Sequence, residues 1–298
     1  MSVGPRRPPS LTSRRPTRRL MLAGVVGGLA VASAPAAYAA QPFRFGLTPV
    51  FLTSDLQLLE ALQRYLTLAM GTEVELVLKR TYQEITSQLV SGLLDAAWIC
   101  GFPFIAYRRE LELVAVPIWR GRTTYQSYLI VAEGRDASNI DDLRGDIHAF
   151  SDPDSNSGYL VTRALLAEQG LKPQAFFQRT FFTYGHRNVV RAVAAGLARS
   201  GSVDGYVWEV MTQTEPELTR QTRPAWRSDW MGFPPVATAT KNASSEGITK
   251  LRQALLAMPR DPIGRGVLEL LRLDGFAKGD PSLFDSIASR VDLVRTLG

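Results

Sequence analysis

Two short segments gather the side chains able to hold a small anion. In Ser151-Asp152-Pro153-Asp154-Ser155-Asn156-Ser157-Gly158-Tyr159-Leu160, three small polar residues (Ser155, Asn156 and Ser157) stand directly ahead of an apolar-periodic stretch that reads as a helix. A helix start offers unpaired N–H groups and the positive end of the macrodipole, so hydroxyls there can wrap an oxyanion without a lysine. Plain helix capping by Asp154 or Ser155 accounts for the same residues. Thr183-Tyr184-Gly185-His186-Arg187-Asn188 precedes a second helix with the apolar face Val189, Val190, Val193 and Ala194. His186 at its start can donate one N–H to an oxyanion oxygen, or be a semi-buried histidine with a backbone partner. Cys100, the sole cysteine, follows Trp98-Ile99 at the end of an apolar run. It fits two roles, a soft thiolate ligand and a small core hydrophobe.

Catalysis finds less support. There is no G-x-S-x-G, and only His148 and His186 are available as imidazole bases. His148 lies within a strand pattern. Ser157 with His186 makes a dyad on paper, but a serine at a helix start serves anion holding equally well. H-E-x-x-H, C-x-x-C and an EF-hand loop are all missing. No catalytic residue, cofactor or metal is expected, and the chain reads as a binding protein.

The elements that must position these residues alternate in a βαβα rhythm, which argues for an α/β fold with substantially parallel sheets. Strands are expected at Phe43 to Thr48, Glu73 to Lys79 and Asp95 to Ile99. Ser54-Asp55-Leu56-Gln57 and Thr81-Tyr82-Gln83-Glu84 read as capping boxes for helices ending near Ala69 and Gly92. Tyr125 to Glu133 is rich in β-formers and leads to a short helix at Ser138 to Leu143. Beyond it, strands are expected near Ile147 to Phe150, Phe176 to Thr183 and Val203 to Trp208. Helices are expected at Ser157 to Gln169 and His186 to Leu197. The chain returns near Phe233 to Thr240, and helices at Ser245 to Met258, Pro262 to Leu273 and Pro281 to Leu297 pack on the first lobe. The mature chain thus divides into lobe 1, residues 40–130 plus 234–298, and lobe 2, residues 131–233.

Residues 1–39 read as an export signal. Six arginines precede an apolar stretch from Leu20 to Ala34, and Ala37-Tyr38-Ala39 is a small-x-small cleavage site. The stretch is shorter than the about 20 residues of a spanning helix. Thr17-Arg18-Arg19-Leu20-Met21-Leu22 resembles a twin-arginine signal, although general secretory export fits the segment too. Gly24-Val25-Val26-Gly27-Gly28 follows no strand and is not a nucleotide fingerprint. The net charge of +6 belongs entirely to those six arginines, leaving 28 basic against 28 acidic residues, so nucleic acid is excluded as a partner. No cysteine lies just after the cleavage site, so a soluble periplasmic protein is expected rather than a lipid-anchored one.

Leu94-Asp95-Ala96-Ala97-Trp98, Asp152 to Leu160, and Gly185-His186 followed by Ala192-Val193-Ala194-Ala195-Gly196 and Val203-Asp204 together resemble the PhnD-like family. These are the phosphate, phosphite and phosphonate-binding components of ABC importers. The resemblance spans nearly the whole mature chain. It implies a type II-like periplasmic binding protein fold, two α/β lobes on a hinge, with the anion held between them by the Ser-x-Ser helix start and the histidine. It also implies that Tyr82 is the aromatic contribution of the first lobe and that Glu209 matches one of two carboxylates that hold an amine in aminoalkylphosphonate binders. The other is replaced near Pro234-Pro235, which favours an inorganic oxyanion or simple phosphonate. Cys100 departs from the pattern, and related arsenite sensors use a cysteine. Two partners are therefore carried forward besides the small oxyanion: an inner-membrane ABC permease, or a histidine kinase that reads the closed form. A monomer is expected. Among Trp98, Tyr125, Tyr159, Trp208 and Trp230 as candidate cleft walls, Trp98 and Tyr159 are favoured because they adjoin the two motifs.

Overall fold

The computed structural model describes residues 4, 41–49 and 56–297. The export-signal segment, Gly4 aside, and the box at Ser54 lie outside the described residues. Residues Gln41–Gly298 form one compact unit containing two main sheets and a two-stranded ribbon.

The first sheet begins with β1 (Phe43–Leu47), α1 (Leu56–Met70) and β2 (Val74–Leu78), followed by α2 (Tyr82–Ser91) and β3 (Ala96–Trp98). β1 pairs in parallel with both β2 and β3. The box at Thr81 forms as expected: its side chain accepts the Glu84 N–H while the Glu84 carboxylate accepts the Thr81 N–H. Tyr82 is therefore fixed as the first residue of α2, with Ile85 and Leu89 buried below it. Gly92, at φ 81°, ends the helix in the left-handed conformation a side chain resists. The chain continues through α3 (Gly101–Ala106), β4 (Leu111–Ile118) and β5 (Thr124–Tyr125).

A second sheet starts at β6 (Ser127–Ala132) and continues with β7 (Ile147–Phe150), α4 (Val161–Ala167), α5 (Pro173–Phe176), β8 (Arg179–Phe182) and α6 (His186–Ala194). It ends with β9 (Ser200–Asp204), α7 (Gly205–Thr214), α8 (Pro216–Thr219) and β10 (Thr222–Arg227). The chain then returns through β11 (Met231–Gly232), which pairs with β5, and β12 (Val236–Ala239). It finishes with α9 (Glu246–Ala257), α10 (Pro262–Leu271), β13 (Gly275–Ala277) and α11 (Asp285–Leu297).

The strand orders are β13-β4-β12-β3-β1-β2 and β10-β6-β9-β7-β8. Parallel pairing is confined to β1, β2, β3 and to β7, β8, β9, so both sheets are mixed rather than largely parallel. The fold is α/β and two-lobed, one lobe on each main sheet, as expected for the type II-like architecture. Ser127 to Ile130, placed by sequence in the first lobe, pair within the second sheet, so the crossing falls at Gln126. α11 also departs from expectation, since it packs on α3 of the first lobe and on α4 of the second.

Two expected strands are shifted. Val203 to Trp208 is half helix, because Asp204 accepts the N–H groups of Tyr206 and Val207 and so caps α7. Phe176 belongs to α5, opened by Pro173 at its first position, and the strand there begins only at Arg179.

Candidate functional site

β7 ends at Phe150, and the chain turns at once from Ser151. The Asp152 carboxylate accepts the Asp154 N–H at 2.8 Å and, from the other lobe, the Tyr82 N–H at 3.3 Å. Ser155, with extended backbone, caps the following turn by accepting the Gly158 N–H at 3.0 Å. That turn, Asn156–Leu160, is wound wider than an α-helix and runs directly into α4. Gly158 is required there, since a Cβ would overlap the Ser151 hydroxyl and lie 2.9 Å from His186 Cε1. The Ser127 hydroxyl donates to the Ser157 carbonyl at 2.6 Å and ties the turn to β6.

His186 opens α6 and is buried. Tyr184, two residues earlier, has φ 53°, a left-handed conformation that a bulky residue adopts only when its surroundings hold it there. The Asp204 N–H donates to His186 Nδ1 at 3.0 Å. An amide can only donate, so Nδ1 is the acceptor and the neutral ring carries its proton on Nε2. Burial pushes the imidazole down to about 3, so this neutral form is the one present. Nε2 lies 3.2 Å from the Tyr82 hydroxyl and 3.5 Å from Ser155 Oγ. It points as a donor, and a ring already protonated at Nε2 cannot take a proton from a serine. The Ser157–His186 dyad has no base.

The first lobe closes on this arrangement. Tyr82 is fully buried, and burial, followed by Cys100, Asp152, Asp204 and Tyr125, raises its phenol well above the ordinary value. The Cys100 sulfur accepts the Asn156 N–H at 3.2 Å, and the Asn156 side-chain amide donates to the Tyr125 hydroxyl at 2.9 Å and to Met231 Sδ at 3.4 Å.

Counting protons shows what is left over. Tyr82 accepts from His186, Tyr125 accepts from Asn156, and Ser155 accepts from Gly158, so each hydroxyl keeps its own hydrogen for another partner. The hydroxyls of Ser151 and of Ser157, the latter beside the Tyr125 phenol, and Asn156 Oδ1 are buried without a hydrogen bond of normal geometry among the described residues. Buried polar groups are ordinarily satisfied, so a cluster of unsatisfied ones marks a place for something else. Three helix starts, at Tyr82, Asn156 and His186, bring positive dipole ends to the same spot. No lysine or arginine is buried among the described residues.

Ser155, Asn156, Ser157, His186, Tyr82 and Cys100, all singled out by sequence, are thus brought together. Trp98, Tyr159 and Glu209 are not. The Trp98 Nε1–H donates to the Pro234 carbonyl at 2.8 Å and its ring meets Phe276 edge-on. Tyr159 packs on Phe150 and Phe182, with Arg163 over its ring, in the aromatic core of the second lobe. Glu209 pairs with Arg120 at 3.0 Å and accepts from Tyr128 at 3.1 Å, in a separate groove between α7 and α10. Tyr125, passed over among the five aromatic candidates, is the one that joins the cluster. Ser151, Asp152 and Asp204 were inside quoted motifs without a role.

The arsenite-sensing reading gains no support from this geometry: Cys100 is buried, and burial pushes its thiol up to about 12 despite the Asn156 N–H, which disfavours a soft thiolate.

The chain belongs to the family of ABC transporter phosphonate periplasmic substrate-binding proteins, whose family model matches residues 45–284. It is 26% identical over 196 residues to the phosphate-import protein PhnD of Mycolicibacterium smegmatis, a match covering 61% of this chain and 60% of that protein. A binding component of an ABC phosphonate transporter from Pseudomonas aeruginosa superposes with a TM-score of 0.78 at 22% identity, over 86% of this chain and 88% of that one. The methylphosphonate complex of PhnD1 from Prochlorococcus marinus gives 0.75 at 17% identity, over 86% and 97%. At these identities the structural matches establish the shared fold.

Proposed function

We propose that this protein is the soluble periplasmic capture component of an ABC importer, taking a small phosphorus oxyanion of the phosphonate, phosphite or phosphate class and delivering it as a monomer to an inner-membrane permease. The observation that carries this reading is the set of hydroxyl protons on Tyr82, Tyr125 and Ser155, with the buried Ser157 hydroxyl beside them, gathered in one buried cluster that His186 Nε2–H orients through Tyr82. An acceptor-rich, compact ligand is what such a set can satisfy. Because Tyr82 and Cys100 come from one lobe and His186 and Asn156 from the other, ligand bonds to both lobes favour the closed form, and that differential affinity drives closure. With Glu209 engaged by Arg120 and Tyr128, a simple phosphonate is favoured over an amine-bearing one.

The test is calorimetric titration of residues 40–298 with phosphate, phosphite, methylphosphonate, aminoethylphosphonate and sulfate, repeated on the Ser157→Ala/His186→Ala double variant. Losing the Ser157 hydrogen bond and the His186 N–H that aims the Tyr82 hydroxyl weakens two bonds to a charged group, at about 1.5–3 kcal/mol each, and predicts at least a hundredfold weaker binding of the best ligand. Unchanged affinity in a folded double variant refutes the site.

A further inference from the structure

The hydrogen-bond accounting leaves one group of the opposite kind. Asn156 Oδ1 is a pure acceptor, fully buried, and without a partner among the described residues. Its orientation is not arbitrary. The other end of the amide faces the Tyr125 oxygen and the Met231 sulfur, and a thioether can only accept, so the NH2 belongs there and the carbonyl on the open side. A fully ionised oxyanion has no hydrogen to give this carbonyl.

The charges around the site point the same way. Besides Asp146, which is bonded to Arg135, the buried charged residues are Asp152 and Asp204, and both adjoin the cluster through the Tyr82 and His186 hydrogen bonds. Both carboxylates have two N–H groups to themselves: Asp152 those of Tyr82 and Asp154, Asp204 those of Tyr206 and Val207. A doubly charged ligand would meet two buried carboxylates and no buried cation. In a low-dielectric interior like charges at short range repel strongly unless one is protonated.

We propose that the site takes its ligand as the singly charged, still protonated oxyanion, with the ligand P–OH hydrogen donated to Asn156 Oδ1 and the bare oxygens held by the surrounding O–H and N–H donors. This rests on the phosphorus-oxyanion reading and adds the ionisation state to it. The titratable groups facing the ligand position are Tyr82 from α2, Cys100 before α3, Tyr125 from β5, Asp152 after β7, His186 from α6 and Asp204 between β9 and α7. Tyr82, Tyr125 and Cys100 are raised by burial and stay protonated, while His186 is lowered to about 3 and stays neutral. Asp152 is raised, and Asp204 is raised to about 7, in each case by burial first, so Asp204 is the protein group whose titration overlaps the ligand's.

The experiment is methylphosphonate titration by calorimetry from pH 5.5 to 9, on the mature protein and on Asp204→Asn, whose amide oxygen still caps α7. The second ionisation of such ligands lies near neutrality. The expected result is affinity falling tenfold per pH unit above that ionisation, with the same slope in Asp204→Asn and one proton taken up per ligand bound. The 31P resonance of bound methylphosphonate should stay at the singly ionised position throughout. A flat or rising affinity, or a bound resonance at the doubly ionised position, overturns the proposal. So does a slope that vanishes in Asp204→Asn, because the proton then belonged to the protein. Absence of binding by any phosphorus oxyanion at every pH overturns the parent reading and the inference with it, and is thereby distinguished from failure of the inference alone.

Discussion

Adding one methyl group at Gly158 tests the site without removing any polar atom. A Cβ there lies 2.7 Å from Ser151 Cβ and 2.9 Å from His186 Cε1, and it overlaps the Ser151 hydroxyl. Rotation of the hydroxyl relieves the last contact but neither of the other two, so the turn and α6 must separate by several tenths of an ångström. Overpacking of this kind costs about 1–3 kcal/mol, and the helical gain of Ala over Gly offsets about 1 kcal/mol at most. Gly158→Ala should therefore be folded but about 1–2 kcal/mol less stable, lowering Tm by roughly 2–8 °C for a chain of this size. Binding suffers more than stability, because the displaced group is His186, whose Nε2–H holds the Tyr82 hydroxyl in place toward the ligand. Loss of one hydrogen bond to an anion, about 1.5–3 kcal/mol, weakens affinity about 10- to 100-fold. Gly134→Ala is the control, since a Cβ at Gly134 meets nothing within 4 Å. Differential scanning calorimetry gives the first quantity and titration calorimetry with methylphosphonate the second. Wild-type affinity in a destabilised Gly158→Ala protein would refute the placement of the anion between Ser157 and His186.

Three further outcomes are expected. His148 and His186 are each pushed down to about 3 by burial, so the stability they contribute is complete above the unfolded value of about 6.5 and is lost as pH falls toward 3. Asp204, raised to about 7, acts oppositely, stabilising at low pH and losing that contribution as pH rises through 7. Asp152 and Asp154, also raised by burial, act as Asp204 does, so the check is a difference: in urea unfolding, His148→Gln should remove about 1.4 kcal/mol per pH unit of acid-side loss between pH 6 and 4.5. Cys100→Ser should bind methylphosphonate within about twofold of wild type, the hydroxyl oxygen accepting the Asn156 N–H in place of sulfur, and the native thiol should react with a chromogenic disulfide far more slowly than the unfolded one. Thr81→Ala should cost about 1 kcal/mol by calorimetry, through the lost box at the start of α2.

What could be read from sequence was local. Thr81-x-x-Glu84 is a short-range signal, and it placed Tyr82 at a helix start; the polar turn before α4 and the glycine before His186 are of the same kind. What brings Tyr82 to His186 is the meeting of two lobes across 104 residues of chain, which only the family resemblance implied. The choices that this cluster leaves out share a cause. Trp98 and Tyr159 were favoured for adjacency, but residues two apart in a helical turn face away from each other, so Ser157 in the cluster puts Tyr159 outside it. The strand leading to Cys100 ends at Trp98, so alternation does not carry across to the cap of α3. Ser200-Gly201-Ser202 has weak strand character, yet forms central β9, because α6 packs so closely that a Cβ at Gly201 would lie 2.5 Å from Val189 Cγ1. Burial against a particular neighbour decided that strand, and no local pattern announces it.

The position of β12 between β3 and β4 has a consequence for the order of folding. The second sheet, from Ser127 to Arg227, is one continuous stretch of chain and can assemble as soon as it is complete. The first sheet cannot, because its centre stays open until Val236–Ala239 arrives from beyond the entire second lobe. Closing it requires a loop of well over a hundred residues, and such non-local pairing is slow and leaves strand edges exposed in the meantime. The middle of the polypeptide therefore finishes first, and β3 and β4 wait longest for the strand that joins them.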